Sequence, residues 1–195
     1  GICLFIWLYT TLSTFLYFEQ AHIVADAFDD SAQRTRVFAL IDLAVNALTI
    51  GIQLLATGRL IQRWGLSAVL ALVPMLLALG FAGLAAAPVL PLLLAVQVAR
   101  RAGNYALTRP ARESLFTLVD RNSRYKAKNF IDTLVYRGGD ALSAWAFAGL
   151  QALGLGLAGI AALAVPLALG WAWLGWGLGR KAKQAGGQQF GGDSG

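Results

Sequence analysis

The feature that most constrains this sequence is a series of long apolar stretches separated by short polar breaks. A helix needs about 20 mostly apolar residues to cross roughly 30 Å of hydrocarbon. In lipid, only helices and closed barrels pair all of their backbone groups. A barrel would require alternating polar and apolar residues, and runs such as residues 66–79 do not alternate. The sequence therefore predicts an all-α, polytopic membrane protein.

Composition agrees with this prediction and narrows the chemistry. Hydrophobic residues make up 57% of the 195 residues and charged residues 13%, whereas soluble domains are about 25% charged. The single cysteine, Cys3, excludes an internal disulfide, and the single histidine, His22, excludes histidine-rich metal sites. We therefore expect no metal and no cofactor. In a membrane protein, the net charge of +6 indicates basic cytoplasmic loops instead of nucleic-acid binding.

Six transmembrane spans can be placed along the chain, with ends uncertain by several residues. They cover residues 2–24, 37–57, 66–86, 88–112, 130–153 and 155–178. Residues 1–183 are expected to form one six-helix bundle in the lipid bilayer. The tail, residues 184–195, is rich in Gly and Gln and is expected to be disordered. Because the chain starts directly in apolar residues, we expect it to be cut just before a helix.

The connections between these spans differ in basic content. On one side they hold nine basic residues: Arg59, Arg63, Arg121, Arg124, Lys126, Lys128, Arg180, Lys181 and Lys183. The opposite side holds two, Arg34 and Arg36. The positive-inside rule then places both termini in the cytoplasm. Trp171, Trp173 and Trp176 lie near the cytoplasmic end of the last span and predict an interfacial aromatic belt.

The fourth span carries charged residues at membrane depth, where each costs several kcal/mol unless it is paired or hydrated. From an entry near Pro88, ten residues reach about 15 Å, so Arg100 and Arg101 lie near the midplane. Guanidinium groups match the geometry of phosphate and carboxylate. The expected binding residues for an anionic solute are Arg100, Arg101, Asn104, Tyr105 and Arg112.

Two other sets of polar residues are predicted to serve this site. The first is a stripe on one face of the second span, which either lines the cavity or joins helices by hydrogen bonds: Asp42, Asn46, Thr49 and Gln53. The second consists of candidates for gating ion pairs: Glu113, Asp132, Arg137 and Asp140. Since Arg137 and Asp140 are three residues apart on one helix, mutual neutralisation is an equally good interpretation. The glycines between them, Gly138 and Gly139, predict either a local helix break or close packing with a neighbour.

Three runs resemble the bacterial branch of the ATP/ADP translocase family. They are Arg-Pro-Ala-Arg-Glu-Ser-Leu-Phe at 109–116, Tyr-Lys-Ala-Lys-Asn-Phe-Ile-Asp at 125–132 and Tyr-Arg-Gly-Gly-Asp at 136–140. Residues 58–65 also resemble the short basic loop of major facilitators. The resemblance implies the C-terminal half of a twelve-helix, major-facilitator-like nucleotide transporter in the bacterial inner membrane. Its partner would be the N-terminal six-helix half, and Arg112 and Glu113 would have substrate and gating roles.

We therefore expect a half-domain of a secondary transporter that moves a nucleotide or another anionic solute by alternating access. Arg109 and Ala111 replace the Asp and Thr of the family, so a non-transporting sensor or scaffold with the same fold is the alternative.

A membrane-embedded enzyme is less favoured. The cluster of Asp26, Asp29 and Asp30 has no matching set of ligands, and Gly-x-Ser-x-Gly and His-Glu-x-x-His motifs are absent. The expectation is that the chain is not an enzyme.

Overall fold

The computed structural model describes residues 1–116 and 134–190, with side chains described for 1–115 and 134–184. The regular structure of these residues is all helical, which confirms the predicted class. The α helices are α1 (Ile2–Ala27), α2 (Ser31–Ile52), α3 (Gly58–Ala86), α4 (Leu90–Gly103), α5 (Arg109–Phe116), α6 (Tyr136–Ala152) and α7 (Leu157–Phe190). Two π-helical turns, Gln53–Thr57 and Asn104–Thr108, join α2 to α3 and α4 to α5.

Three helical stretches of the described residues are long and apolar enough to cross a membrane. They are Ile2–Ala27, Ser31–Ala86 and Leu157–Gln184. The chain is therefore consistent with a membrane protein, while the count of six spans stays a prediction. The first residues of the predicted fifth span, 130–133, lie outside the described residues.

The connection predicted at residues 58–65 is helical up to Trp64, so the prediction of a loop there is wrong. The helix is broken only at Gly65, which has φ 79° and ψ 166°. Glycine adopts this positive φ without the steric penalty that a side chain would meet. The chain changes direction at Gly65 through a kink in α3.

Two helix ends illustrate how local chemistry sets the bounds. The carboxylate of Asp30 accepts a hydrogen bond from the Ala32 N–H at 3.0 Å and caps the start of α2. At the other end of the chain, α7 continues to Phe190 and so enters the segment predicted to be disordered. Once a helix has formed, each further residue adds a hydrogen bond at little extra cost.

The packing of α7 against α3 depends on two glycines of α7. A Cβ atom on Gly175 would lie 2.7 Å from the carbonyl oxygen of Leu70, and a Cβ on Gly179 would overlap the backbone of Ser67. Gly175 and Gly179 are four residues apart and therefore share one helix face. Small residues at this spacing let two membrane helices approach closely. The backbone of α7 consequently rests directly on that of α3.

Trp171 lies inside this bundle and not at its surface. Its side chain is fully buried, and its ring centroid lies 5.2 Å from that of Phe5 and 5.8 Å from that of Tyr9. The prediction that Trp171 belongs to an interfacial belt is therefore wrong, because α1 covers this face of α7. Trp173 and Trp176 are exposed, as such a belt requires.

The helix pairings have an internal symmetry. The main contacts join α1 to α6, α2 to α4, α1 to α7, α3 to α4, α3 to α7 and α1 to α4. Exchanging α1 with α4, α2 with α6 and α3 with α7 reproduces this set of contacts. The first three helices and the last three are thus packed in the same way, with α5 continuing α4 through the second π turn.

Candidate functional site

The two adjacent arginines of α4 point to different neighbours. Successive residues of a helix are rotated by about 100°, so Arg100 faces α1 while Arg101 faces α2. The structure therefore divides the predicted arginine pair between a buried position and an open one. Asn104 follows one turn later, half-buried, where the second π turn begins.

Arg100 is almost completely buried, with 5% of its surface exposed. Its guanidinium donates hydrogen bonds to the Ser13 hydroxyl, to the Tyr9 hydroxyl at 3.3 Å and to Gln97 Oε1 at 3.0 Å. Its Cζ atom also lies 5.8 Å from the centroid of the Tyr9 ring. The Gln97 amide in turn donates to Gln20 Oε1 at 2.6 Å. All of these partners are neutral, and no carboxylate of the described residues forms an ion pair with Arg100.

The depth of Arg100 in the bundle can be read from its partners on α1. Ser13 lies near the middle of α1 (Ile2–Ala27). Asp42, the partner of Arg101, likewise lies well inside the stretch Ser31–Trp64 that precedes the kink. Arg100 and Arg101 lie in the last turn of α4, but the helix continues through the second π turn into α5, so both lie inside the continuous helical segment 90–116. Their depth in a membrane stays a prediction.

Arg101 forms an ion pair with Asp42 of α2, with 2.5 Å between Nη1 and Oδ1. The side chains are 31% and 56% exposed on the surface of the chain, so this pair lies on an open face between α2 and α4 and not inside the bundle. Asp42 belongs to the stripe predicted to line a cavity or to join helices, and at this position it joins α2 to α4. Of the predicted gating residues, Asp140 does not pair with Arg101 in the described structure.

A cavity of about 580 Å³ opens beside Arg101 between α2 and the α4–α5 segment. Its lining residues are Asn46, Thr49, Gln53, Arg101, Tyr105, Arg109, Pro110 and Glu113. Three members of the predicted α2 stripe are thus brought together with members of the predicted binding and gating sets. The Thr49 hydroxyl is buried and has no hydrogen-bond partner in the described structure. The cavity combines two cationic groups, one carboxylate, and several neutral donors and acceptors.

The two π turns lie beside each other next to this cavity. The Gln53 amide donates to the carbonyl oxygen of Tyr105 at 3.1 Å, and the Thr57 hydroxyl donates to that of Ala106 at 2.8 Å. A π turn disturbs the regular ladder of backbone hydrogen bonds and often marks a functional site. Side chains of the first turn therefore satisfy carbonyl groups of the second, which fixes α2 against α4 at the level of the cavity.

Arg112 lies on α5 and contacts α6. Its Nη1 donates to the Tyr136 hydroxyl at 2.7 Å, and its Cζ lies 5.9 Å from the centroid of that ring. The Nε atom of Arg112 is buried and has no hydrogen-bond partner in the described structure. The structure thus separates Arg112 from the cavity that contains Arg101, while neighbouring Glu113 lines that cavity.

The remaining predicted residues lie on α6 or outside the described residues. Asp140 accepts a hydrogen bond from the Thr14 hydroxyl at 3.3 Å and thereby joins α6 to α1. Arg137 is exposed and forms no ion pair with Asp140. The glycines before Asp140 predict either a local helix break or close packing with a neighbour. Gly139 is closely packed, because a Cβ atom there would lie 3.1 Å from the Trp7 ring. Asp132 lies outside the described residues.

Sequence reasoning missed the residues that hold Arg100. They are Tyr9, Ser13, Gln20 and Gln97. Tyr9, Ser13 and Gln20 share one face of α1, since their offsets of four and seven are helical. Polar side chains on one face of an otherwise apolar helix are a signal of helix-to-helix hydrogen bonding, and here that signal was present in the sequence.

The arrangement is suited to binding an anion. Arg100 offers a guanidinium with neutral partners, and Arg101 offers one whose carboxylate partner is exposed at the surface of the chain. The described residues contain no group of three or more His, Cys, Asp or Glu side chains able to hold a metal ion. Neither a family model, nor a curated protein, nor a solved structure matches this chain.

Proposed function

We propose that this chain is half of a secondary transporter that moves an anionic solute, best matched by a nucleotide or another phosphorylated compound. The observation that carries the proposal is Arg100, a buried cation at mid-length of the bundle whose described partners are all neutral. Desolvating an ion costs several kcal/mol, and that cost is recovered only through excellent pairing. A solute anion between the helices would provide the missing countercharge.

The cavity beside Arg101 supports the same class of solute. Its volume of about 580 Å³ lies within the range of about 300–1,000 Å³ that is usual for ligand sites. Arg101 and Arg109 would hold the anionic groups through forked hydrogen bonds. Asn46, Thr49 and Gln53 would supply neutral hydrogen bonds to the rest of the solute. This combination of charge and amide groups is what a phosphate ester of a polar organic molecule requires.

The packing symmetry supports a transporter architecture. Each six-helix half of a major facilitator is built from two three-helix units in inverted orientation, and the pairings here are unchanged when the two sets of three helices are exchanged. The 56 residues of Ser31–Ala86 would extend for about 84 Å as one straight helix, which is far more than one crossing needs. We therefore propose six crossings with both termini cytoplasmic, and a second six-helix half as partner.

The Arg101–Asp42 ion pair provides a way to couple binding to movement. Asp42 pairs with Arg101 and joins α2 to α4. An entering phosphate would compete with Asp42 for the same guanidinium and loosen this tie. We propose that the exchange of an internal partner for a solute is the step that permits alternating access. The resemblance to the ATP/ADP translocases makes exchange of nucleotides across a bacterial inner membrane our first candidate for the transport reaction.

Transport assays test the function directly. The full-length protein would be reconstituted in vesicles, and uptake of labelled ATP, ADP, phosphate and a neutral nucleoside would be measured. We expect uptake of at least one phosphorylated solute and none of the nucleoside. Arg101→Gln should lower uptake about 10- to 100-fold, as loss of a charged hydrogen bond costs about 1.5–3 kcal/mol. Arg36→Gln, at an exposed position, is the matched control.

Three outcomes would count against parts of this proposal. Equal uptake by the Arg101→Gln and Arg36→Gln variants would show that Arg101 does not bind the solute. Failure to take up any of these anions would reject the transport function. Stabilisation of the protein by a nucleotide without uptake would favour the sensor or scaffold alternative.

The Asp42→Asn variant should bind the anionic solute more tightly. Asparagine removes the carboxylate that competes for Arg101, and a partly exposed ion pair contributes up to about 1 kcal/mol, so we expect a decrease in Kd of about 5-fold at most. Equilibrium binding of the labelled solute measures this change. Asp29→Asn, at an exposed position before α2, should leave Kd unchanged. A higher Kd for Asp42→Asn would instead identify Asp42 as a group that contacts the solute.

A further inference from the structure

A second polar pocket shares no lining residue with the cavity beside Arg101. It occupies about 760 Å³ between the kink of α3 and the last turns of α7, and we call it the α3–α7 pocket. The side chains that matter for its chemistry are Trp64, Ser67, Trp176, Arg180 and Lys183. None of the described residues that line it is acidic. The proposed transport function makes no use of this pocket.

The backbone explains why the pocket exists at this place. At Gly65 the positive φ kinks α3, and residues on both sides of the kink line the pocket together with residues of α7. Immediately after the kink, Gly179 brings the backbone of α7 against that of Ser67. The close approach of the two backbones at Ser67 and Gly179 therefore bounds the pocket on one side of the kink, and Trp64 lines it on the other side.

The exposed face of α7 changes character regularly along its length. Its residues at offsets of four, three, four and three are Leu169, Trp173, Trp176, Arg180 and Lys183, and all five are exposed. This face therefore runs from apolar through aromatic to basic toward the end of the helix. Tryptophan is enriched at the level of lipid headgroups, and basic groups beyond it meet phosphate. The order matches the order of chemical groups along a phospholipid, from acyl chain to headgroup.

Arg180 and Lys183 concentrate positive charge at the pocket. They are three residues apart and hence neighbours on the helix surface. Neither forms an ion pair with a described residue, and so their charges are available to a bound phosphate. Basic pockets between helices at the cytoplasmic side of a membrane bind acidic lipid headgroups. A free phosphate would use the same two cations but would leave the apolar and aromatic part of this face without a partner.

We infer that the α3–α7 pocket is a binding site for the headgroup of an anionic phospholipid. The phosphate lies against Arg180 and Lys183, and the Ser67 hydroxyl supplies a further hydrogen bond. Trp64 and Trp176 flank the headgroup, and the acyl chains follow the apolar part of α7 past Trp173. A lipid bound in this way fills the space between α3 and α7 and strengthens the contact of these helices at the end of the bundle.

The test measures the apparent Tm of the full-length protein in nanodiscs of phosphatidylcholine, with and without phosphatidylglycerol. Phosphatidylglycerol should raise the Tm of the original protein. Each basic residue near the surface contributes about 1 kcal/mol to the attraction of acidic lipid, so Arg180→Gln with Lys183→Gln should weaken phosphatidylglycerol binding about 25-fold. The rise in Tm should then be lost. Lys181→Gln, adjacent but not lining the pocket, should retain it.

Each alternative occupant predicts a different result. An equal loss for Lys181→Gln would show diffuse attraction to the charged surface and would overturn the site. Inorganic phosphate that stabilises the protein as well as the lipid does would overturn the assignment to a lipid. An equal Tm with and without phosphatidylglycerol would do the same. None of these readouts requires transport, so their failure is separable from failure of the proposed function.

Discussion

Replacing Arg100 with glutamine should abolish anion transport while leaving the bundle at least as stable as before. The buried guanidinium has neutral partners on α1 and α4, so its charge has no countercharge among the described residues, and a bound anion would offset the remaining cost of burial. Losing one member of a buried charge pair costs about 2–5 kcal/mol, and we expect solute affinity to fall about 30-fold or more. Uptake into vesicles and the apparent Tm of the same preparation measure the two effects.

A loss of uptake without a loss of stability distinguishes a role of Arg100 in binding the solute from a structural role. If Arg100 served only to join α1 to α4, its replacement would lower the Tm, and any loss of uptake would follow from that. Arg100→Lys keeps the charge without the planar fork and should retain part of the uptake. Unchanged uptake by Arg100→Gln would contradict the proposed role of Arg100 in binding the anion, on which the proposed function depends.

The second large effect is expected at the contact between α3 and α7. A Cβ atom on Gly179 would overlap the backbone N and Cα of Ser67, which cannot move aside as a flexible side chain would. Gly179→Ala should therefore separate the helices and destabilise the bundle by about 1–3 kcal/mol. The measurement is the apparent Tm of the full-length protein in phosphatidylcholine nanodiscs, where no acidic lipid is present.

Gly177 provides the matched control because it lies on the same helix, two residues earlier. A Cβ atom there would have no neighbour within 4 Å. Alanine at that position should leave the Tm unchanged or raise it, since alanine is more favourable than glycine within a helix by about 1 kcal/mol. An equal Tm for the two alanine variants would show that α7 does not rest on the backbone of α3.

Much of the fold could be predicted from the sequence because apolar length and helical spacing are local properties. The all-α class follows from the length of the apolar stretches, and the polar stripe of α2 follows from offsets of three and four residues. Asn46, Thr49 and Gln53 of that stripe do line one cavity. The predicted depth of Arg100 in a membrane rests on the rise per residue of a helix and stays a prediction.

What could not be predicted depends on which helices become neighbours. Asp42 lies far from Arg101 in sequence, and nothing local identifies it as the partner. Trp171 occupies a position typical of an interfacial residue, yet α1 packs over it and buries it. In contrast, the small-residue spacing of Gly175 and Gly179 was visible in the sequence and would have predicted the close approach of α7 to another helix.

The symmetry of the pairings has a consequence for the direction of flow. The exchange that relates the two sets of three helices carries α1 onto α4, and Arg100 lies about as far into α4 as its partner Ser13 lies into α1. In the proposed six-crossing arrangement, this pairing would place a charge at that crossing at about the same distance from the two aqueous compartments. A solute bound there in the proposed transporter would be able to leave toward either side, and the concentration gradients and the membrane potential would set the direction of net transport.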